Sequence, residues 1–131
     1  MYLMETDKIF YSWQSALPNN TNRGFIEKAL EKAVKNLRTD DSLKVEPVVD
    51  RDIKGVPGSP NISLTIFKKI DDSKVFVGDV SIIQKVKKRS CPNPNVLIEL
   101  GYAIRSLSWE RVLLVLNENY GPVENLPFDL K

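Results

Sequence analysis

Two short, almost wholly apolar runs restrict the fold of this chain more than any other feature. They are Lys74–Val80 and Arg111–Leu116. A strand with one wet face alternates apolar and polar residues, whereas a near-continuous apolar run suits a strand that is covered on both faces. Such strands belong to parallel sheets that lie between two layers of helices. We therefore expect both runs to be strands of a sheet of this kind.

The rest of the chain alternates between strand and helix patterns, as a parallel sheet requires. Further strands are predicted at Lys8–Trp13 and Val45–Val49, and helices at 23–37, 60–70 and 95–107. Pro47 cannot donate a hydrogen bond to a neighbouring strand, so the second strand is expected at a sheet edge. Together with right-handed crossovers, this predicts an α/β fold with helices on both faces and strand order 2-1-3-4.

The first predicted helix has a clear two-sided pattern. Thr21 or Asn22 is expected to cap its N-terminus. Apolar residues recur at spacings of three and four, which predicts one face packed on the sheet. This face comprises Phe25, Ile26, Ala29, Leu30, Ala33, Val34 and Leu37.

The composition excludes several kinds of catalytic site. The chain has 131 residues, which suits one domain, and it contains no histidine and one cysteine. Ser-His-Asp triads, Cys-His dyads, the common zinc sites and an internal disulfide are therefore excluded. Any chemistry must use carboxylates, hydroxyls, amides, lysine or arginine.

The charge distribution predicts neither a nucleic-acid nor a membrane partner. The net charge is +2. One basic cluster, Lys85–Arg89, has no aromatic residue among its cations, so we interpret it as a solvated loop rather than a phosphate-binding patch. No apolar run reaches the length of a membrane span, and the N-terminus does not resemble a signal peptide. The simplest compartment is the cytoplasm.

Polar and aromatic side chains follow the predicted first and third strands. Ser12 and Trp13 end the first strand, and Asp79 and Ser81 end the third. The predicted strand order reverses between these two strands, and α/β proteins bind ligands at such a point. Trp13 can stack on a flat ring or act as a lid on the core. Asp79 and Ser81 can contact a ligand or cap the loop that follows them.

Glu99 is the candidate reactive group. It lies on the helix that follows the third strand, and with Asn95 as the N-cap it is the fourth helical residue. It falls on the flank of the apolar stripe, so we expect it to be half buried and directed at the mouth of the sheet. The alternative is a surface acid that the helix dipole favours.

The segment Arg51–Gly58 is long and rich in glycine and proline. A loop of this kind beside a ligand site can close over the ligand or dock a neighbouring subunit. It can also be a plain connection between a strand and a helix.

Four segments together resemble the bacterial branch of the TIR-like (Toll/interleukin-1 receptor-like) nucleotide-binding domains. Lys8–Trp13 resembles the first family box, and Arg51–Gly58 resembles the second. Ile70–Ser81 resembles the family's passage from helix to third strand. Asn93–Ala103 resembles the motif in which an Asn-Pro-Asn-Val turn leads into a Glu-Leu-Gly helix, and this match is the most specific.

The resemblance implies a fold and an activity. The fold is a flavodoxin-like three-layer sandwich with a parallel sheet of four to five strands, in the order 2-1-3-4(-5). Residues 1–131 would be one TIR-like domain, either the N-terminal part of a longer protein or a slightly shortened form. The implied activity is cleavage of NAD at the nicotinamide–ribose bond, in bacterial antiviral defence or signalling. NAD would be the substrate, and neither a cofactor nor a metal is implied.

The resemblance also assigns roles to particular residues. The catalytic glutamate of those enzymes falls on Glu99. Substrate-binding and loop residues follow from the matched segments. The expected substrate contacts are Ser12, Trp13, Asp79, Ser81 and Arg51, and the expected self-association residues are Asp52, Gly55, Pro57 and Gly58. The expected partners are NAD or a related nucleotide and further copies of the chain.

Two other functions stay open. One is a TIR-like scaffold that binds a nucleotide or assembles partners without catalysis. The other is a nucleoside or nucleotide N-glycosidase, because nucleoside deoxyribosyltransferases are distantly similar and also place a glutamate on this helix, as a nucleophile.

Overall fold

A four-stranded parallel sheet forms the centre of the protein. The computed structural model describes residues 7–39, 48–51, 60–127 and 130, with the backbone alone for 48–51 and 60–62. In chain order the elements are β1 (Lys8–Ser12), α1 (Arg23–Arg38), β2 (Val48–Arg51), α2 (Pro60–Asp71), β3 (Val75–Asp79), β4 (Ile82–Val86), β5 (Arg89–Pro92), α3 (Pro94–Leu107) and β6 (Val112–Val115). Short 3₁₀ turns lie at Trp109–Arg111, Glu118–Tyr120 and Val123–Asn125.

The order of the strands confirms the predicted α/β, flavodoxin-like architecture. The sheet runs β2-β1-β3-β6, and each neighbouring pair is parallel. Since β6 is the fourth predicted strand, this is the order 2-1-3-4. Register brings Ser12 opposite Gly78 and Asp79 opposite Val115. The carboxyl ends of β1, β3 and β6 therefore lie side by side at one edge.

Helices cover both faces of the sheet. Successive side chains of a strand point to opposite faces, so each strand contributes to two apolar cores. Phe10 and Phe76 belong to one apolar core, where their rings stack with centroids 5.8 Å apart. Residues of α2 and α3 complete this core. Tyr11 and Val77, the next residue of each strand, belong to a second core with Ile26 of α1. The three layers are thus α1, the sheet, and α2 with α3.

The helix α3 is fixed to the end of α2. The Tyr102 hydroxyl donates to the Asp71 carboxylate at 2.9 and 2.8 Å, and Ser106 Oγ donates to the same carboxylate at 2.5 Å. The Tyr102 ring also stacks on Phe67, with centroids 4.2 Å apart. The hydrogen bond to Asp71 raises the pKa of Tyr102 above its ordinary value, since it stabilises the protonated phenol.

The apolar side of α1 is only partly buried, which corrects the prediction for this helix. Ile26 and Val34 are buried, but Phe25 is 64% exposed and Leu37 is 41% exposed. Leu113 of β6 is also 59% exposed and lines an apolar groove with Phe25. The helical period shows which side of α1 is apolar, but it does not show how far a neighbouring element extends over that side.

The basic cluster Lys85–Arg89 is exposed to solvent, as predicted, but the prediction that it is a loop was wrong. It forms the outer end of an antiparallel hairpin made by β4 and β5, with Val86 paired to Arg89 across the turn. Only the base of this hairpin is buried, at Ile82 and Pro92. The outer residues lack the apolar alternation that predicts a strand, and a hairpin without a buried face leaves no such signal.

Other boundaries differ from the predictions by a few residues. β1 and β3 are shorter than the predicted runs, and β2 begins at Val48, while residues 40–47 lie outside the described part. The α1 N-cap is Asn22, but its side chain makes no capping hydrogen bond. Within the described residues, no helix combines the length and apolar character that a bilayer crossing needs.

Two glycines provide a matched test of how the C-terminal segment holds the hairpin base. Gly121 has a φ of +146°, and a Cβ there would lie 2.5 Å from Ile82 Cδ1. Gly101 is an exposed residue of α3, and a Cβ there would meet nothing within 4 Å. We expect Gly121→Ala to lower the free energy of unfolding by about 1–3 kcal/mol, and Gly101→Ala to raise it by about 0.5–1 kcal/mol.

Urea unfolding of the two variants and the parent protein measures both effects. Equal changes in the two variants would contradict the packing of Ile82 against Gly121.

Candidate functional site

The N-cap of α3 determines how many helical residues precede Glu99. Asn93, not Asn95, is the N-cap, and its side chain accepts from the backbone N–H of Asn95 at 2.8 Å and of Val96 at 3.4 Å. Pro94 follows at the first helical position, where its missing N–H has no cost. Glu99 is therefore the sixth helical residue rather than the predicted fourth.

Glu99 is more deeply buried than the predicted half-buried acid. It is 6% exposed, and Ser12 Oγ donates to its Oε1 at 3.2 Å. Ser12 ends β1 and is itself 0% exposed. The helix dipole acts mainly within the first turn, so it does not account for an acid at the sixth helical position. The burial of a carboxylate is unfavourable unless hydrogen bonds compensate it, and the end of β1 supplies one.

Asp79 is the second buried carboxylate, and the protein itself uses both of its oxygens. Gln14 Nε2 and Asn22 Nδ2 donate to Oδ2 at 2.9 and 3.0 Å, and the backbone N–H of Ser81 donates to Oδ1 at 3.0 Å. Asp79 is 0% exposed. It therefore supports the loop that follows β3, which is one of the two roles considered from the sequence.

The Asp79 hydrogen bonds continue into a network that joins three strand ends. Asn22 Nδ2 and the backbone N–H of Asn117 donate to Ser81 Oγ at 3.0 and 2.8 Å. Gln14 Oε1 accepts from the backbone N–H groups of Ala16 and Leu17 and so folds the chain after β1. The network thus fixes the loops that leave β1, β3 and β6 relative to one another.

Sequence reasoning missed Gln14, Asn22 and Asn117. Gln14 and Asn117 each follow a strand by two residues. This is the same signal that selected Asp79 and Ser81, so it could have selected these two amides as well. Asn22 was considered only as a helix cap, because its position before α1 suggested that local role.

Trp13 packs beside α1. The Arg23 guanidinium carbon lies 3.6 Å from the centre of the Trp13 ring, in a cation–π contact. The side chain also packs against the core that contains Tyr11 and Ile26. The lid role considered from the sequence agrees with this packing, and a stacking role toward a ligand stays a prediction.

The remaining predicted site residues lie at or beyond the end of β2. Arg51 is the last residue of β2, and its backbone pairs in register with Tyr11. Its side chain lies outside the described part, as do Asp52, Gly55, Pro57 and Gly58. Their predicted roles therefore stay predictions.

A cavity of about 550 Å³ lies between the start of α1 and the end of β6. Its lining includes Thr21, Phe25, Asn117 and Asn119, but neither Ser12 nor Glu99. This cavity and the Glu99 carboxylate are thus separate features of the same sheet edge. Within residues 7–39, 48–51, 60–127 and 130, no three acidic or cysteine side chains group as metal ligands.

Comparisons with known proteins find likeness among solved structures. No family model matches the chain, and no curated protein matches it. Among solved structures, a 2-desoxiribosyltransferase from Leishmania mexicana matches with a TM-score of 0.48 and 17% identity, over 84% of this chain and 63% of that one. This chain thus spans less than two thirds of that protein. The TIR resemblance is not tested by this likeness and stays a prediction.

The Asp79 network predicts a large effect from a change of one atom. In Asp79→Asn an amide NH₂ replaces one acceptor oxygen and faces a donor, so at least one buried hydrogen bond is lost. We expect the free energy of unfolding to fall by about 3 kcal/mol, the upper value for a hydrogen bond to a buried charge. Urea unfolding measures this loss.

The matched control is Asp72→Asn, which removes the same charge from an exposed position just after α2. It should change stability by less than about 0.5 kcal/mol. If the two variants were equally stable, the Asp79 hydrogen bonds would not support the fold.

Proposed function

We propose that this protein cleaves the N-glycosidic bond of a nucleoside or nucleotide, with Glu99 acting at the anomeric carbon of the sugar. The observation that carries the proposal is the buried Glu99 carboxylate, which Ser12 holds at the carboxyl end of β1. This position adjoins the point where the strand order reverses, because β2 and β3 flank β1 on opposite sides. Ligands of open α/β sheets bind at such a point.

The chemistry of a lone glutamate suits glycosyl transfer. A Glu99 oxygen can attack C1′ as the bond to the base breaks, and the base leaves with the bonding electrons. The product is a glycosyl ester of Glu99. Water or a second base then attacks the same carbon and releases the carboxylate, and the proton that this nucleophile loses neutralises the base that left. Ser12 would keep Glu99 in one orientation through both steps, which lowers the entropic cost of the attack.

A second candidate substrate is NAD, and the state of Asp79 favours it. Ordinary nucleosides lose their base more easily when an acid protonates it. Asp79 is the other acid buried among the described residues, and hydrogen bonds from Gln14, Asn22 and Ser81 occupy it. Nicotinamide leaves NAD as a neutral molecule without protonation, so a site with a single reactive carboxylate is sufficient for this substrate.

The TIR resemblance carries the remaining parts of the proposal. Under it, the protein acts in antiviral defence or signalling, self-associates through the Arg51–Gly58 segment and binds NAD without a further cofactor. A TIR-like scaffold that binds a nucleotide without cleaving it is the competing function. Nothing in the Glu99 geometry requires a scaffold, whereas a buried carboxylate with a positioning hydroxyl is an arrangement that catalysis uses.

Release of free base tests the proposal. Purified protein is incubated with deoxynucleosides, ribonucleosides, nucleoside monophosphates and NAD, and the base or nicotinamide is measured by chromatography. We expect turnover of at least one of these substrates, and a decrease on the order of 1,000-fold in Glu99→Gln, which keeps the shape but removes the anionic nucleophile.

Glu110→Gln is the control for this experiment, because Glu110 is an exposed acid on the 3₁₀ turn after α3. It should retain full activity. Equal turnover by Glu99→Gln and the parent protein would falsify the catalytic role, and binding without any turnover would support the scaffold. Turnover of nucleosides or of NAD alone would separate the two enzymatic candidates.

Ser12→Ala tests whether Ser12 positions Glu99. A hydrogen bond to a charged group contributes about 1.5–3 kcal/mol, so we expect kcat to fall by about 10–100-fold with little change in KM. Steady-state kinetics of the substrate found above measure this split. Ser15→Ala, an exposed serine three residues further on, is the control. A rise in KM alone would instead place Ser12 in ground-state binding of the substrate.

A further inference from the structure

The hairpin of β4 and β5 concentrates the positive charge of the chain. It carries Lys85, Lys87, Lys88 and Arg89, which are four of the 19 basic residues, and no carboxylate lies in residues 82–92. The rest of the chain then has 15 basic and 17 acidic residues and is net negative. All four cations are exposed. No ion pair joins them to a carboxylate of the described residues.

The register of the hairpin distributes these cations around it. Lys85 pairs with Ser90, and Val86 pairs with Arg89. Paired residues project from the same side of a two-stranded ribbon, and adjacent pairs project from opposite sides. Lys85 and Arg89 are therefore on opposite sides, while Lys87 and Lys88 form the turn between them. Val86 is 57% exposed and shares a side with Arg89.

The turn itself keeps a cation at an unfavourable backbone position. Lys87 has a φ of +56°, in the left-handed region where hairpin turns prefer glycine or asparagine. The base of the hairpin is firm, because Ile82 is 6% exposed and contacts the segment around Gly121. A firmly held ribbon thus presents positive charge on both sides and at its tip.

We propose that this hairpin binds duplex DNA by entering the major groove, with its cations on the phosphates of both walls. The major groove is about 12 Å wide and admits a two-stranded ribbon. Cations on two opposite sides match two walls of phosphates, whereas a flat anionic membrane would meet only one side. The hairpin has no aromatic residue, so it lacks the stacking platform of single-strand binders.

This proposal departs from the expectation of no nucleic-acid partner and goes beyond the proposed activity at Glu99. That expectation came from the small net charge and from the interpretation of Lys85–Arg89 as a solvated loop without aromatic residues. A loop would lose conformational freedom when its cations aligned with phosphates, whereas the hairpin already holds them in place. The binding is expected to be independent of sequence, because phosphate contacts carry no sequence information directly.

The salt dependence gives a quantitative expectation. Each phosphate that a cation neutralises contributes about −0.9 to the slope of log K against log salt, so four contacts give a slope of about −3.6. Between 50 and 200 mM salt, the affinity should fall by about 100-fold.

Fluorescence anisotropy with a labelled 20-base-pair DNA duplex tests the proposal on the full chain. The hairpin variant carries Lys85→Gln, Lys87→Gln, Lys88→Gln and Arg89→Gln. A control variant removes four exposed lysines elsewhere, by Lys28→Gln, Lys32→Gln, Lys35→Gln and Lys68→Gln, so its net charge is the same. We expect the hairpin variant to lose at least 30-fold in affinity at 50 mM salt and the control to stay within about threefold. Circular dichroism spectra show whether each variant is folded.

Three results would overturn the proposal. The first is the absence of DNA binding at 50 mM salt and 100 μM protein. The second is an equal loss in the hairpin and control variants, which means diffuse attraction. The third is equal or tighter binding to single-stranded DNA, to duplex RNA with its narrow major groove, or to vesicles with anionic lipids. A salt slope near −3.6 in the parent protein that falls toward zero in the hairpin variant supports it.

Discussion

The buried carboxylate of Asp79 is the interaction on which the geometry of the sheet edge depends. Three donors from three parts of the chain converge on it: Gln14 after β1, Asn22 before α1, and the backbone of Ser81 after β3. Parallel strands leave their loops at one edge, and those loops need internal hydrogen bonds once they are buried. One charge supplies acceptors for several of them, and each hydrogen bond to it is stronger than one to a neutral group.

The two buried acids, Asp79 and Glu99, have different roles in the candidate site. Asp79 satisfies donors of the protein and immobilises loops, whereas Glu99 is held through Ser12 on the last residue of a strand. A strand end is a rigid support, and reactive groups on rigid elements keep their orientation better than groups on loops. Gln14 connects the two acids, because it binds Asp79 two residues beyond Ser12. The structural acid thus stabilises the part of β1 that holds the candidate catalytic one.

The sequence predicted the architecture because that information is local or periodic. The apolar runs of β3 and β6 predicted strands of a parallel sheet, and Pro47 indicated the edge position of β2. Only β3 is covered on both faces, since Leu113 of the edge strand β6 is 59% exposed. The position of Glu99 within α3 was harder to predict, because either of two asparagines could be the N-cap. The correct cap is Asn93, which lies one residue before Pro94. The amide network was not predicted at all. Its contacts join residues 57 and 65 positions apart, and a single asparagine or glutamine in a loop has no period that marks it.

For the hairpin, the prediction of a solvated basic cluster was correct, but the prediction of its secondary structure was wrong. Its cations were recognised, but hydrophobic patterning describes how an element packs, and only the base of this ribbon packs on the protein. That base is continuous with the Asp79 network, since Ser81 precedes β4 directly and accepts hydrogen bonds from Asn22 and Asn117. A force that a bound anion exerts on the hairpin would therefore be transmitted to the same hydrogen bonds that fix the strand ends. The hairpin and the Glu99 site are separate surfaces, but the Asp79 hydrogen-bond network supports both.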